Sequence, residues 1–182
     1  MNDEPPVALV DMDGTICNYY ERLEADVRRI LGDDFEKVSP HTRRAIELVA
    51  RQREGWYREL EPLPLGFEIV KILKEIGFRL MILTKGNPRT PNAYNEKVEW
   101  CVKYIPEAEI TITQDKGIVY GKILVDDWVP YVPRWLEHRP RGLVLMPDQK
   151  WNRDFTHGQA ARISTAKDLE VIRPTLEEIY RR

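Results

Sequence analysis

The chain has 182 residues, of which 42% are hydrophobic and 32% charged, with a net charge of −2. That length supports one well-cored domain with room for a small insert, and the near-neutral balance gives no global pull toward nucleic acid or an anionic membrane. No apolar run approaches the roughly 18 residues of a membrane span, the start (Met1-Asn2-Asp3-Glu4-Pro5-Pro6) is polar, and Cys17 and Cys101 are too few for a disulfide scaffold, so a cytoplasmic protein without membrane or nucleic-acid partners is expected.

The elements follow in order. Val7–Val10 is a short apolar run that reads as a buried strand. Tyr20, Leu23, Val27, Ile30 and Leu31 recur at helical spacing and stop at Gly32. Ser39-Pro40 has the form of a cap with proline at the first helical position, opening a helix through Ile46, Val49 and Ala50. Residues 54–65 break the pattern. A helix from Gly66 to Ile76 then leads into the apolar run Phe78–Leu83, a second strand ending at Thr84. After a turn with Gly86, Pro88 and Pro91 comes a helix carrying Val98, Trp100, Cys101, Val102, Tyr104 and Ile105. Glu109–Thr113, Lys122–Val125 and Gly142–Met146 are further strands, and Ser164 caps a C-terminal helix. Alternating strands and helices predict an α/β fold: a three-layer, Rossmann-like, mostly parallel sheet. Residues 17–65 are long for a crossover and hold two helices, so they read as a small helical cap inserted after the first strand. Residues 1–16 and 66–182 then form the core.

Four clusters at strand ends carry the chemistry. Asp11 and Asp13 follow the first strand in Asp-Met-Asp-Gly-Thr, at the edge where open α/β sheets bind ligands. Side chains two apart in extended chain face the same way. Two carboxylates so placed repel unless a cation or a shared proton offsets them. Thr84 ends the second strand before Lys85-Gly86, a hydroxyl and turn amides suited to an anion. Lys97 stands on the following helix. Asp126 and Asp127 end another buried strand. Together these acidic groups make an oxygen-rich site of the kind Mg²⁺ prefers, with room for a phosphate, and phosphoryl transfer needs that combination.

The order strand-Asp-x-Asp-Gly-Thr, strand-Thr, Lys, strand-Asp-Asp resembles the haloacid dehalogenase superfamily of phosphohydrolases. The resemblance implies Asp11 as nucleophile forming an aspartyl-phosphate, Asp13 as general acid and base, and Thr84 and Lys97 as binders of the phosphoryl oxygens. It also implies Mg²⁺ held by Asp11, the backbone carbonyl of Asp13, Asp126 and Asp127. Trp56-Tyr57-Arg58-Glu59-Leu60-Glu61-Pro62-Leu63-Pro64, Tyr94-Asn95-Glu96-Lys97 with Trp100, and Thr113-Gln114-Asp115-Lys116 are similar to the 5'(3')-deoxyribonucleotidases. That closer likeness implies a deoxynucleoside monophosphate as substrate, with Tyr19, Trp56 and Tyr57 at the nucleoside pocket.

The chain also departs from that family. Thr84-Lys85-Gly86 stands where Thr-Ser-Pro is common, Trp128 where an arginine follows the aspartate pair, and Gln114 within Thr-Arg-Asp-Lys. Lys85 offers an added phosphate contact, which suits a different or more charged substrate. A ribonucleotide or sugar phosphate, or a catalytically silent nucleotide-binding module, are the alternatives. The tail from Ser164 packs on the core or on a second subunit, which leaves a homodimer open.

Overall fold

The structure, a computed structural model, describes residues 4–182; residues 1–3 of the polar start lie outside it. Six strands form one sheet: β1 (Val7–Val10), β2 (Arg79–Thr84), β3 (Glu109–Ile112), β4 (Ile123–Val125), β5 (Leu143–Pro147) and β6 (Ala160–Ile163). Their order is β3-β2-β1-β4-β5-β6 and every pairing is parallel. The sheet is therefore fully parallel rather than mostly so. The chain runs outward from β1 to β3, then returns to place β4 on the other side of β1. That reversal opens the crevice at the C-terminal ends of β1 and β4.

Side-chain alternation divides the core. Ala8, Val10, Leu80, Ile82, Ile123, Val125 and Leu145 face one layer; Val7, Leu9, Leu83, Leu124, Val144 and Met146 face the other. The first layer holds α3 (Pro64–Ile76), α4 (Asn92–Tyr104) and α6 (Ala166–Arg181), and the second holds the short α5 (Tyr131–Leu136). Helix α3 starts two residues before the expected Gly66, because Pro64 takes the N1 place where its missing N–H costs nothing. Gly66 is then needed for contact: a Cβ there would lie 2.2 Å from the Thr15 carbonyl. Strand β6 and helix α5 are additions to the sequence reading. β6 reads Ala-Ala-Arg-Ile, lies at the sheet edge and is only partly buried, so it lacks an apolar run. The cap of α6 falls at Thr165, one residue after Ser164, where Asp168 accepts from both backbone amides at 2.8 Å.

Between β1 and α3 lie α1 (Tyr19–Leu31) and α2 (Pro40–Arg51), which pack on each other. Ser39 caps α2 through the Thr42 amide at 3.1 Å. The two ends of this segment run side by side: the Asn18 amide donates to the Glu61 carbonyl at 2.8 Å, and that of Leu63 to the Ile16 carbonyl at 2.9 Å. Its apolar residues, among them Val27, Phe35, Trp56 and Leu60, are continuous with the core beneath β1.

One buried carboxylate helps tie the end of this segment to α4. Buried Glu96 accepts from the amides of Gly55 at 2.8 Å and Tyr57 at 2.9 Å. Glu96→Ala would leave two buried N–H groups unpaired, and each such group costs about 1–3 kcal/mol. Urea unfolding should register a loss of about 3 kcal/mol, and a loss under about 0.5 kcal/mol would mean that this tie is dispensable.

Candidate active site

Asp11 extends β1, its amide donating to the Val125 carbonyl at 2.8 Å. Past it the chain turns sharply: the Met12 carbonyl accepts from the amides of Thr15, Ile16 and Cys17. Gly14 permits the turn with φ +80°, and a Cβ there would lie 2.8 Å from an Asp127 carboxylate oxygen and 2.4 Å from the Tyr20 ring. Just past β4, the Asp126 amide donates to the Leu145 carbonyl of β5 at 3.2 Å, and Asp127 follows. The carboxylates of Asp11, Asp126 and Asp127 consequently meet, each buried, with ligand atoms within 4.8 Å of one another.

Protein donors fix this group. Lys116, fully buried on a 3-10 turn (Lys116–Ile118), reaches Asp11 Oδ1 at 2.6 Å and Asp126 Oδ2 at 2.7 Å. The Trp128 amide donates to Asp126 Oδ1 at 2.9 Å. Asp127 accepts from Thr15 Oγ1 at 3.0 Å and from Trp151 Nε1 at 3.1 Å. Burial, with Asp11 adding repulsion, pushes the Asp126 and Asp127 carboxyls well above the usual carboxylate range. Three carboxylates sharing one lysine leave net negative charge, and an all-oxygen donor set fits a hard divalent cation.

The Asp13 side chain stands outside that trio and turns to another cation. Lys97 Nζ lies 2.6 Å from Asp13 Oδ2, 2.9 Å from Thr84 Oγ1 and 3.0 Å from the Lys85 carbonyl. Lys97 reaches them because it shares the buried face of α4 with Ala93, Trp100 and Cys101. Burial raises the Asp13 pKa, outweighing the opposing pull of Lys97. The neighbouring Cys17 is buried, and burial likewise holds its thiol protonated, as expected of a small core filler.

A cavity of about 220 Å³ opens onto Asp11 and Asp13, walled by Tyr19, Tyr20, Lys85, Lys116, Trp128 and Tyr131. Of the residues expected to bind substrate, Tyr19 and Lys85 line it. Thr84 and Lys97 are buried behind it and meet it through Asp13. Trp56 is not brought to the cavity: it is fully buried, with Nε1 donating to Asp26 at 2.8 Å. Tyr57 is also buried, its hydroxyl 3.3 Å from Thr90 Oγ1 and its ring centre 5.5 Å from Lys97 Nζ. Sequence reasoning missed Lys116, Tyr20, Tyr131 and Trp151 as site residues. Lys116 had a usable signal, its place in the Thr113-Gln114-Asp115-Lys116 stretch that carries part of the resemblance.

Residues 5–174 match the family model described as 5' nucleotidase, deoxy (pyrimidine), cytosolic type C protein. The chain belongs to that family. It is thus a phosphoric monoester hydrolase of the 5'-nucleotidase kind. A Bordetella pertussis protein named as a candidate 5'(3')-deoxyribonucleotidase is 25% identical over 164 residues, covering 81% of this chain and 86% of its own. The human cytosolic-type 5'(3')-deoxyribonucleotidase is 23% identical over 139 residues, covering 65% of this chain and 69% of its own. Among solved structures, a haloacid dehalogenase-like hydrolase from Burkholderia xenovorans superposes with a TM-score of 0.61 at 13% identity, over 93% of this chain and 97% of that one. A magnesium-bound hydrolase of the same fold from Bacillus subtilis gives 0.58 at 14% identity, over 94% and 100%. These structures share the nucleotidase's fold. No helix among the described residues is long and apolar enough to cross a membrane.

The raised carboxyls make metal binding visible in stability. In the folded nucleotidase Asp126 and Asp127 hold protons that the unfolded chain has released above about pH 4. Without metal, stability therefore falls as pH rises from there toward the raised folded values. A cation at these groups offsets the loss, so the melting temperature should rise more on adding Mg²⁺ at pH 7.5 than at pH 5. An equal rise at both pH values would count against a site built on these carboxyls.

Proposed function

We propose that the nucleotidase hydrolyses deoxynucleoside monophosphates with Mg²⁺ through an aspartyl-phosphate on Asp11. The observation that carries this reading is the separation of the two aspartates. Both line one cavity, yet Asp11 joins the carboxylate group and Lys116, whereas Asp13 pairs with Lys97 and has a raised pKa. One environment places a carboxylate nucleophile against a lysine and two further carboxyls; the other favours a carboxyl that can hold a proton.

In the first step an Asp11 oxygen bonds to phosphorus as the ester P–O bond breaks, and Asp13 protonates the departing alkoxide. In the second, Asp13 takes a proton from water as that water attacks phosphorus, which frees Asp11 and inorganic phosphate. Lys97, behind the cavity with Thr84, holds Asp13 in place. Asp11, the Asp13 carbonyl, Asp126 and Asp127 would hold Mg²⁺, which neutralises phosphoryl charge when bound. Residues 17–65 act as the cap, with residues 1–16 and 66–182 as the core. The paired ends of the segment and the position of Tyr19 and Tyr20 in the cavity wall support that division.

Four aromatic rings line the cavity and suit a nucleobase by stacking, in keeping with the names of the relatives. Lys85 favours a second reading, a more highly charged small phosphoester such as a ribonucleotide or sugar phosphate, because its ammonium faces the same space.

Phosphate release from a panel of 5'- and 3'-monophosphates, with Mg²⁺ and with EDTA, tests the proposal. Activity should require the metal and favour deoxynucleotides. Asp11→Asn should lower kcat at least 1,000-fold (on the order of 4 kcal/mol), and full activity in that variant would sink the covalent mechanism. Asp13→Asn should slow turnover of poor leaving groups more than that of p-nitrophenyl phosphate, whose leaving group needs little protonation.

A further inference from the structure

The opposite end of the sheet holds a second cavity, about 240 Å³, at the starts of β4 and β5. Lys122 and Gly142, the residues just ahead of those strands, line it with His138, Arg139, Arg141 and Arg182. No acidic side chain borders it. Arg182 pairs with Glu178 at 3.5 Å, but Lys122, Arg139 and Arg141 make no ion pair among the described residues. Lys122 donates instead to the carbonyls of Ile179 and Tyr180 near the end of α6.

Arg139 decides the reading. It is only 8% exposed and lies over the Trp135 ring. Its Nη1 donates to the carbonyls of Gly117 and Trp135 at 2.8 Å, and its Nη2 to that of Val119 at 2.6 Å. Its Nε is buried without a partner. A guanidinium held by carbonyls alone has most of its hydrogen bonds but no counter-charge, and buried charges are ordinarily paired. Burial accordingly draws its pKa below the ordinary arginine value. An anion in the adjoining cavity would supply the missing charge, with Lys122 and Arg141 adding to the attraction.

We propose that this cavity binds a phosphate-bearing small anion, at the end of the sheet remote from the reaction. The volume far exceeds that of a halide, and several cations at one place match an oxyanion with more than one negative charge. Exposed Tyr120 at the rim offers a ring face to a nucleoside, if the phosphate carries one. Arg139 also grips Gly117 and Val119, at and just after the turn that carries Lys116. The cavity and the acidic group therefore share one buried arginine as a support.

Amide chemical shifts of the full chain, followed in excess Mg²⁺ at constant ionic strength, test the site with inorganic phosphate and then with a nucleoside triphosphate. Saturating shifts are expected at residues 120–122 and 141–143, separate from those around Asp11. The double variant Arg141→Glu with Arg182→Glu alters two exposed side chains and should weaken that binding at least tenfold. Shifts near Asp11 and nucleotidase turnover should be unchanged, which also reports that the variant is folded. Tighter binding of the triphosphate would assign a nucleotide, and equal binding the free anion. Shifts that never saturate, or saturation untouched by the two charge reversals, would overturn the proposal.

Discussion

Like charges crowded at the C-terminal ends of neighbouring parallel strands are the constraint around which this protein is arranged. Asp11, Asp126 and Asp127 present oxygens within 4.8 Å of one another, where two unit charges repel by roughly 3.5 kcal/mol at an effective dielectric near 20. Two buried lysines relieve part of this. Lys116 bridges Asp11 and Asp126, and Lys97 takes Asp13. The remaining negative charge, which no described side chain cancels, is the physical basis for the raised carboxyls and for the fit to a cation.

Neither lysine could serve unless held firmly, because a buried ammonium is itself costly away from its partners. Lys97 is carried by α4, whose adjacent residue Glu96 binds the amides of Gly55 and Tyr57. Lys116 is carried by a turn that Asp115 caps through the Gly117 amide and that Arg139 grips through carbonyls. Asp127 is clamped differently. Trp151 donates to it while its ring packs at a 52° tilt against Tyr20 of α1, with centroids 4.2 Å apart. One carboxylate thus links the core to the inserted helices across the mouth of the site.

Strand ends were the legible part of this site. Asp11, Asp13, Thr84, Asp126 and Asp127 each follow an apolar run, so period and position alone bring them to one edge of a parallel sheet. The cavity wall was not legible in the same way. Trp56 and Tyr57 carry the look of a binding pair, but adjacent aromatic residues can serve either a pocket or a core, and local pattern does not separate the two. Here the indole finds its hydrogen-bond partner in Asp26, thirty residues away. Trp128, Tyr131 and Trp151 lie in loops or at a six-residue helix, where no periodicity marks orientation. Strand β6 was hidden for a related reason: an edge strand that is half exposed needs no apolar run, and register with β5 supplies its stability.

The paired ends of the inserted segment carry a wider consequence. Because residues 16–18 and 61–63 are hydrogen-bonded neighbours, the chain leaves the end of β1 and enters α3 at nearly one point. The entropy of closing the intervening loop grows only slowly with its length, so a change in the length of this segment costs the fold little, provided that Tyr20 and the Gly55–Tyr57 contacts to the core are kept. The length of the inserted stretch and the register of the sheet are in that sense set by separable parts of one chain.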